Sequence, residues 1–287
     1  MQQLFIEADA VHEVWDTTLI RLLAYGNRVG PRGKMTVEFT GATLHVNFGN
    51  NCILANRGRD LNYRFMVAEM LWIMFGRSDV GVLTQYNRNM VRFSDDGIKL
   101  YGAYGPRIRD QYSRVVNALI KDKETRQAVI TIFNPDMSTT TKDTPCTISM
   151  QFLLRKGLLN CIVTMRSSDI WLGFPYDFFT FSMVTQKIAR QLNVGIGYLQ
   201  MQLGSIHLYE EHWDVAQKTT GWSSFSMSTG PNWEGPDAAL ELVLDDPLKD
   251  PVVLPESITF KQVLQQPTRL KAFNILRNKY GSPPYEG

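Results

Sequence analysis

Residues 144–212 constrain the fold most, because they carry a strand pair, an apolar helix and a long alternating strand in unbroken succession. TISMQFLL (147–154) and LLNCIVTM (158–165) flank Arg155-Lys156-Gly157 and read as a β-hairpin. After Gly173-Phe174-Pro175 the spacing predicts an apolar helix over residues 176–192, stopped near Gly195. YLQMQLGSIHLY (198–209) then alternates at period two, which places Ser205, His207 and Tyr209 on one face of a strand.

Around this stretch the chain supplies enough apolar material for a core. Of its 287 residues 44% are hydrophobic and 20% charged, sufficient for one large domain or two small ones. A net charge of +2 with no basic block argues against a dedicated nucleic-acid protein. Cys52, Cys146 and Cys161 are odd in number and lack metal-ligand spacing, so a reduced compartment fits better than a disulfide framework and no metal is expected. The amphipathic, acidic start resembles neither a secretory nor a transit signal. The apolar run 65–75 is too short to span a membrane and contains Glu69. A cytoplasmic protein is expected, in the host cytoplasm if it is viral, with no membrane or nucleic-acid partner.

Several side chains invite chemistry, and each has a plainer alternative. Residues 8–25 read as a helix ending at Gly26, followed by GNRVGPRGK, where Arg28, Arg32 and Lys34 make either an anion-binding loop or a solvated basic turn. MTVEFTGATLHVNF alternates on both sides of Thr40-Gly41 and reads as a hairpin. Glu69 lies in a helix apolar on nearly every side. It is a proton-exchanging group with a raised pKa, or a structural acid whose head reaches solvent or a buried arginine. Residues 76–110 read as a loop-rich insertion. Arg126 precedes a β-rich run and is otherwise a strand-edge charge.

Cys146 opens the hairpin as inert packing or as a nucleophile. Arg166, folding back toward it, would favour the thiolate and hold an anion. Cys161 reads as core. Asp177, in the first turn of its helix, is a first-turn acid unless the site gives it a further role. His207 alone reads more readily as a satisfied core histidine. Residues 214–236, rich in Gly, Ser, Thr and Trp, read as a lid or peripheral loop, and 258–280 as a helix interrupted by Pro267.

Taken together, Pro145-Cys146, the Arg-Ser-Ser-Asp run at 166–169, Leu172-Gly173-Phe174-Pro175 and Gly204-Ser205-Ile206-His207-Leu208-Tyr209 resemble the thymidylate synthase superfamily. Glu69-Met70-Leu71-Trp72 and Tyr104-Gly105 add to the match, which covers roughly residues 12–213. The resemblance implies an α/β (mixed α+β) fold, a mixed β-sheet packed against helices, and a homodimer joined sheet to sheet. One domain over residues 1–287 is expected, with 214–287 its less well-defined C-terminal region.

The resemblance also implies a pyrimidine nucleoside monophosphate as substrate and 5,10-methylenetetrahydrofolate as co-substrate. Cys146 would add to C6 of the base, with Glu69 and Asp177 completing the catalytic set. Arg166, Ser167 and either Arg28 or Arg32 would hold the phosphate, joined by Arg126 from the other subunit. His207 and Tyr209 would hold the sugar hydroxyl. Glu69, Asp169, Leu172, Gly173 and Tyr176 would meet the folate.

Three departures qualify the match. Gln127 stands where a second arginine is usual, and Ser205 where the pattern has an acid. Asp177 replaces the asparagine of thymidylate synthases and points to cytosine, as in the deoxycytidylate hydroxymethylases. Asp177 does not decide between hydration and methylation; with Glu69 as the candidate to position a water, the reading is hydroxymethylation of dCMP. The alternatives are CMP hydroxymethylation, dCMP methylation releasing dihydrofolate and, further off, a dUMP-specific enzyme or a non-catalytic nucleotide-binding protein.

Overall fold

The computed structural model describes residues 3–49, 51–56, 58–134, 141–220 and 224–227, the last three by backbone alone. The strands are β1 (Phe5–Ala8), β2 (Asn27–Val29), β3 (Thr36–Val46), β4 (Ile53–Asn56), β5 (Val129–Thr131), β6 (Thr147–Arg155), β7 (Leu158–Met165), β8 (Ser168–Asp169), β9 (Gly195–Tyr209) and β10 (Ser224–Met227). The helices are α1 (Val11–Tyr25), α2 (Tyr63–Met74), α3 (Val80–Thr84), α4 (Tyr104–Lys121), α5 (Phe174–Gln191) and α6 (Trp213–Thr219).

One mixed sheet runs β1-β3-β9-β7-β6-β5, with β2 paired to β3 and β8 to β9, while β4 and β10 form a separate antiparallel pair. β6 and β7 pair antiparallel around a two-residue turn in which Lys156 and Gly157 both have positive φ. β7 and β9 are parallel, so α5 between them is the crossover that covers the sheet. Its 174–191 sequence is apolar enough to be buried almost throughout, including Phe174, Phe178 and Phe181. α2 packs on α5, and ten of its twelve residues are buried, as a helix apolar on nearly all sides requires. Each large apolar side chain so buried contributes roughly 1.5–3 kcal/mol.

The expected hairpin about Thr40-Gly41 is instead one eleven-residue strand, antiparallel to β9 over its whole length. The signal misled because Gly41 has φ +69 and marks a kink, not a reversal. Core-facing positions on β3 change from Val37 and Phe39 to Ala42, Leu44 and Val46; on β9 they change from Leu199, Met201 and Leu203 to Ile206 and Leu208. Both strands therefore swap faces at the same level. Gly204 sits at that level, where a Cβ would lie 2.7 Å from the Arg166 carbonyl oxygen. The kink leaves Ser205, His207 and Tyr209 beside Thr40, Glu38 and Thr36, on the face opposite Ile206 and Leu208.

Residues 5–8 form a strand parallel to β3 ahead of α1, an element too short to stand out in the sequence. The expected loop at 214–236 is in part regular: 213–219 is helical and 224–227 pairs with β4. The remainder of that tract and the expected helix at 258–280 lie outside the described residues. No helix among the described residues is long and apolar enough to cross a membrane.

Candidate active site

Cys146 is placed by the turn into β6. Its carbonyl accepts from Arg166 N at 2.8 Å, and the Arg166 guanidinium grips the same turn, Nε donating to Pro145 O and Nη2 to Thr144 O, both at 2.9 Å. Arg166 does fold back onto the cysteine, as the sequence suggested. It does pull the thiol pKa down, as expected, but the net shift is upward. Burial pushes it up, the Asp177 and Asp143 carboxylates add to this, and Arg166 and Arg32 oppose without prevailing.

Across from the thiol, α5 and α2 bring two carboxyls into one site. Asp177 enters in the first turn of α5, as its place in the sequence predicted. Both residues are half-buried as wholes, yet their carboxyls are surrounded by protein. Burial raises Asp177 to about 7. Burial, with repulsion from Asp177, raises Glu69 to about 8. Two such groups do not ionise together near neutral pH, so the site holds a transferable proton there.

Tyr104, at the start of α4, joins this floor to the nucleophile. It is fully enclosed, its hydroxyl accepts from Thr147 N at 3.4 Å, and burial, followed by Asp177 and Cys146, holds the phenol well above its ordinary pKa. Sequence reasoning noted Tyr104 only as half of a Tyr-Gly match. It also missed Asp143, which accepts from Gly102 N at 2.7 Å and is raised to about 6, chiefly by burial.

The rim is built on β9 and its neighbours. His207 pairs in register with Glu38 on β3 and with Asp169 on β8. Its pKa is lowered by burial; Asp169 and Glu38 act against this, and Arg32 and Arg166 act with it. His207 and Tyr209 stack edge to face at 5.2 Å, and Lys34 Nζ lies 5.6 Å from the Tyr209 ring. Arg32 shares electrostatic surroundings with both Cys146 and His207, whereas Arg28 stacks on the Trp213 ring at 5.3 Å. The two early arginines are thus separated by structure where sequence left them equivalent. Ser167 is half-buried beside Arg166.

Asp169 Oδ1 accepts from Trp171 N at 2.8 Å and Leu172 N at 2.9 Å, while buried Oδ2 has no hydrogen-bond partner among the described residues. Burial raises this acid. An enclosed carboxyl with one oxygen unused suits an N–H donor of a heterocyclic ligand. Gly173 lies between Asp169 and Asp177, Leu172 is exposed, and the Tyr176 hydroxyl accepts from Asn62 N at 3.1 Å. Arg59 donates twice to Trp171 O and stacks on its ring at 4.9 Å, a brace with no sequence signal.

Arg126 does not join this assembly. Val129 pairs with Gln151, so the exposed arginine precedes β5 toward the end of β6 remote from Cys146. Cys161 is core, as expected. Among the described residues no group of three or more His, Cys, Asp or Glu could hold a metal ion.

A mixed sheet whose turn into β6 presents a cysteine to two buried carboxyls, one from the crossover helix α5 and one from α2, defines a class of nucleophilic enzyme site. The thymidylate synthase family model matches residues 13–227, and the chain belongs to that family. It is 35% identical over 210 residues to the deoxyuridylate hydroxymethyltransferase of Bacillus phage SP01, covering 67% of this chain and 55% of that protein. It is 31% identical over 188 residues to the deoxyuridylate hydroxymethyltransferase of Pseudomonas phage M6, covering 62% and 53% respectively. The chain spans about half the length of the curated relatives it matches.

Proposed function

We propose that this protein transfers a one-carbon unit to C5 of a pyrimidine nucleoside monophosphate and hydrates it, with dCMP as the substrate that the site fits best. The observation that carries this reading is the grouping of Cys146 with a proton-holding Asp177 and Glu69.

Pyrimidine C5 is a poor nucleophile until sulfur adds at C6. As the Cys146 thiolate forms the S–C6 bond, the ring electrons shift, and N3 of cytosine takes the Asp177 proton while the Asp177 carboxylate accepts from the N4 amino group. The resulting enamine attacks through C5. 5,10-Methylenetetrahydrofolate supplies the carbon at the aldehyde oxidation level and leaves as tetrahydrofolate. C5 loses its proton, and water adds to the exocyclic carbon and gives a proton to ionised Glu69; these two protons balance, by way of solvent, the two that N10 and N5 take up as tetrahydrofolate leaves. N3 then returns its proton to Asp177 as the Cys146 sulfur is expelled, which restores the C5–C6 double bond.

In this reading Arg166, Ser167 and Arg32 bind phosphate, and Arg126 reaches the site of a second subunit in a sheet-to-sheet homodimer. His207 and Tyr209 take the sugar hydroxyl. Asp169, with Leu172, Gly173 and Tyr176, meets the folate. Residues 1–287 act as one domain, in the cytoplasm.

dUMP is the second reading, favoured by the names of both phage relatives. A protonated Asp177 offers one donor and one acceptor, as an amide does, and so can face O4 and N3–H of uracil. The chemical half of the proposal is tested by the folate product. Tetrahydrofolate is expected, and stoichiometric dihydrofolate would move the enzyme to reductive methylation.

A further inference from the structure

The Glu38 carboxylate lies where the kinked β3 and β9 strands meet, and the reaction above does not use it. Its Oε2 accepts from Ser205 Oγ at 2.7 Å. Glu38 is also the register partner of His207, whose other strand neighbour is Asp169. The three residues form a row across β3, β9 and β8, with the histidine between two acids.

The acids are not equivalent. Asp169 Oδ1 is committed to the Trp171 and Leu172 amides, and the carboxyl also interacts with His212. Glu38 instead reaches around the histidine to the hydroxyl two residues before it. Ser205 stands where the resemblance implies an acid, and Glu38 brings a carboxylate to its hydroxyl from the adjacent strand.

Resting on the nucleotide reading above, we propose that Glu38 is a positioning residue for the nucleotide sugar: through its cross-strand contact with His207 and its hydrogen bond to Ser205, it sets the orientation and charge with which His207 meets the sugar 3′-hydroxyl. The physical need is local. Arg32 and Arg166 also face His207, and with burial they favour the neutral ring; Glu38 and Asp169 are the opposing charges. Removing Glu38 leaves Asp169 alone against two guanidiniums and frees the Ser205 hydroxyl to bond elsewhere.

The test uses the full-length chain with Glu38→Gln, which keeps size and an acceptor but removes charge, and a charge-relocating double variant, Glu38→Thr with Ser205→Asp. Titration of the His207 ring protons by NMR needs no substrate. The Glu38→Gln midpoint should fall below that of the parent, and the double variant should recover it. In kinetics, Glu38→Gln should raise KM for the nucleoside monophosphate about tenfold while kcat changes less than about threefold. The penalty should vanish with a 2′,3′-dideoxynucleotide, and the double variant should restore KM to within about threefold of the parent.

An unmoved His207 titration overturns the proposal whatever the substrate is. A moved titration with an equal KM penalty on the dideoxy analogue overturns the sugar role. A moved titration in a protein that binds no pyrimidine nucleotide also overturns the sugar role, and it separates failure of the functional reading from failure of the Glu38–His207 coupling.

Discussion

The floor and the rim of the site use ionisable groups in opposite ways. On the floor, Glu69, Asp177, Tyr104 and Cys146 are enclosed, and burial lifts every pKa, so each group is biased toward its neutral, proton-bearing form. On the rim, Arg32, Arg166, Glu38 and His207 are half-buried or exposed, and charges of both signs act on His207 beside the burial that lowers it. The floor is built to move protons during reaction, the rim to hold a charged, hydroxylated ligand still. Substitutions on the floor should therefore act on kcat or base choice, and those on the rim on KM.

The largest effect is expected at Cys146. Cys146→Ser should lower kcat by at least ~10³-fold while nucleotide binding, measured by calorimetry, changes little; comparable turnover would remove it as nucleophile. Next is Asp177→Asn, which removes the proton offered to cytosine N3. The ratio of kcat/KM for dCMP over dUMP should fall about 10²-fold or more, and an unchanged ratio would break the link between this carboxyl and base choice.

On the rim, Arg32→Ala should raise the nucleotide KM about tenfold or more, and Arg28→Ala less than about threefold, because Arg28 is engaged with Trp213. The reverse order would relocate the phosphate.

The last effect is on stability and not on catalysis. Glu69 is lifted from an ordinary carboxyl value to about 8. Its protonated form is favoured by folding, so its contribution is fully present below about pH 4.5 and is lost as pH rises toward 8. Glu69→Gln should flatten that decline and stabilise the fold at pH 9 by ~3 kcal/mol, read from urea melts at several pH values. An unaltered pH dependence would mean that the carboxyl is solvated.

What the sequence made legible divides along the same line. The β6–β7 hairpin, α5, β9 and the buried α2 were readable because periodicity reports which face is buried. The motif residues Cys146, Glu69, Asp169, Asp177 and His207 were readable through resemblance. Gly41 was misread because a positive-φ glycine between alternating runs marks a kink as readily as a turn. Arg166 lowers the thiol pKa as expected, but the net rise was not legible because a sequence does not report burial, which outweighs the cation here. Glu38 and Asp143 escaped, and Tyr104 was noted only within its motif, because their surroundings depend on partners far along the chain: Ser205, Gly102 and Cys146 respectively.

The most direct test is the mass of the nucleotide produced when the purified full-length protein is given 5,10-methylenetetrahydrofolate with dCMP and dUMP in parallel. The expected result is 5-hydroxymethyl-dCMP, formed faster than any dUMP product. A product from dUMP alone would contradict the role given to Asp177, and a methylated product would contradict hydration at the floor of the site.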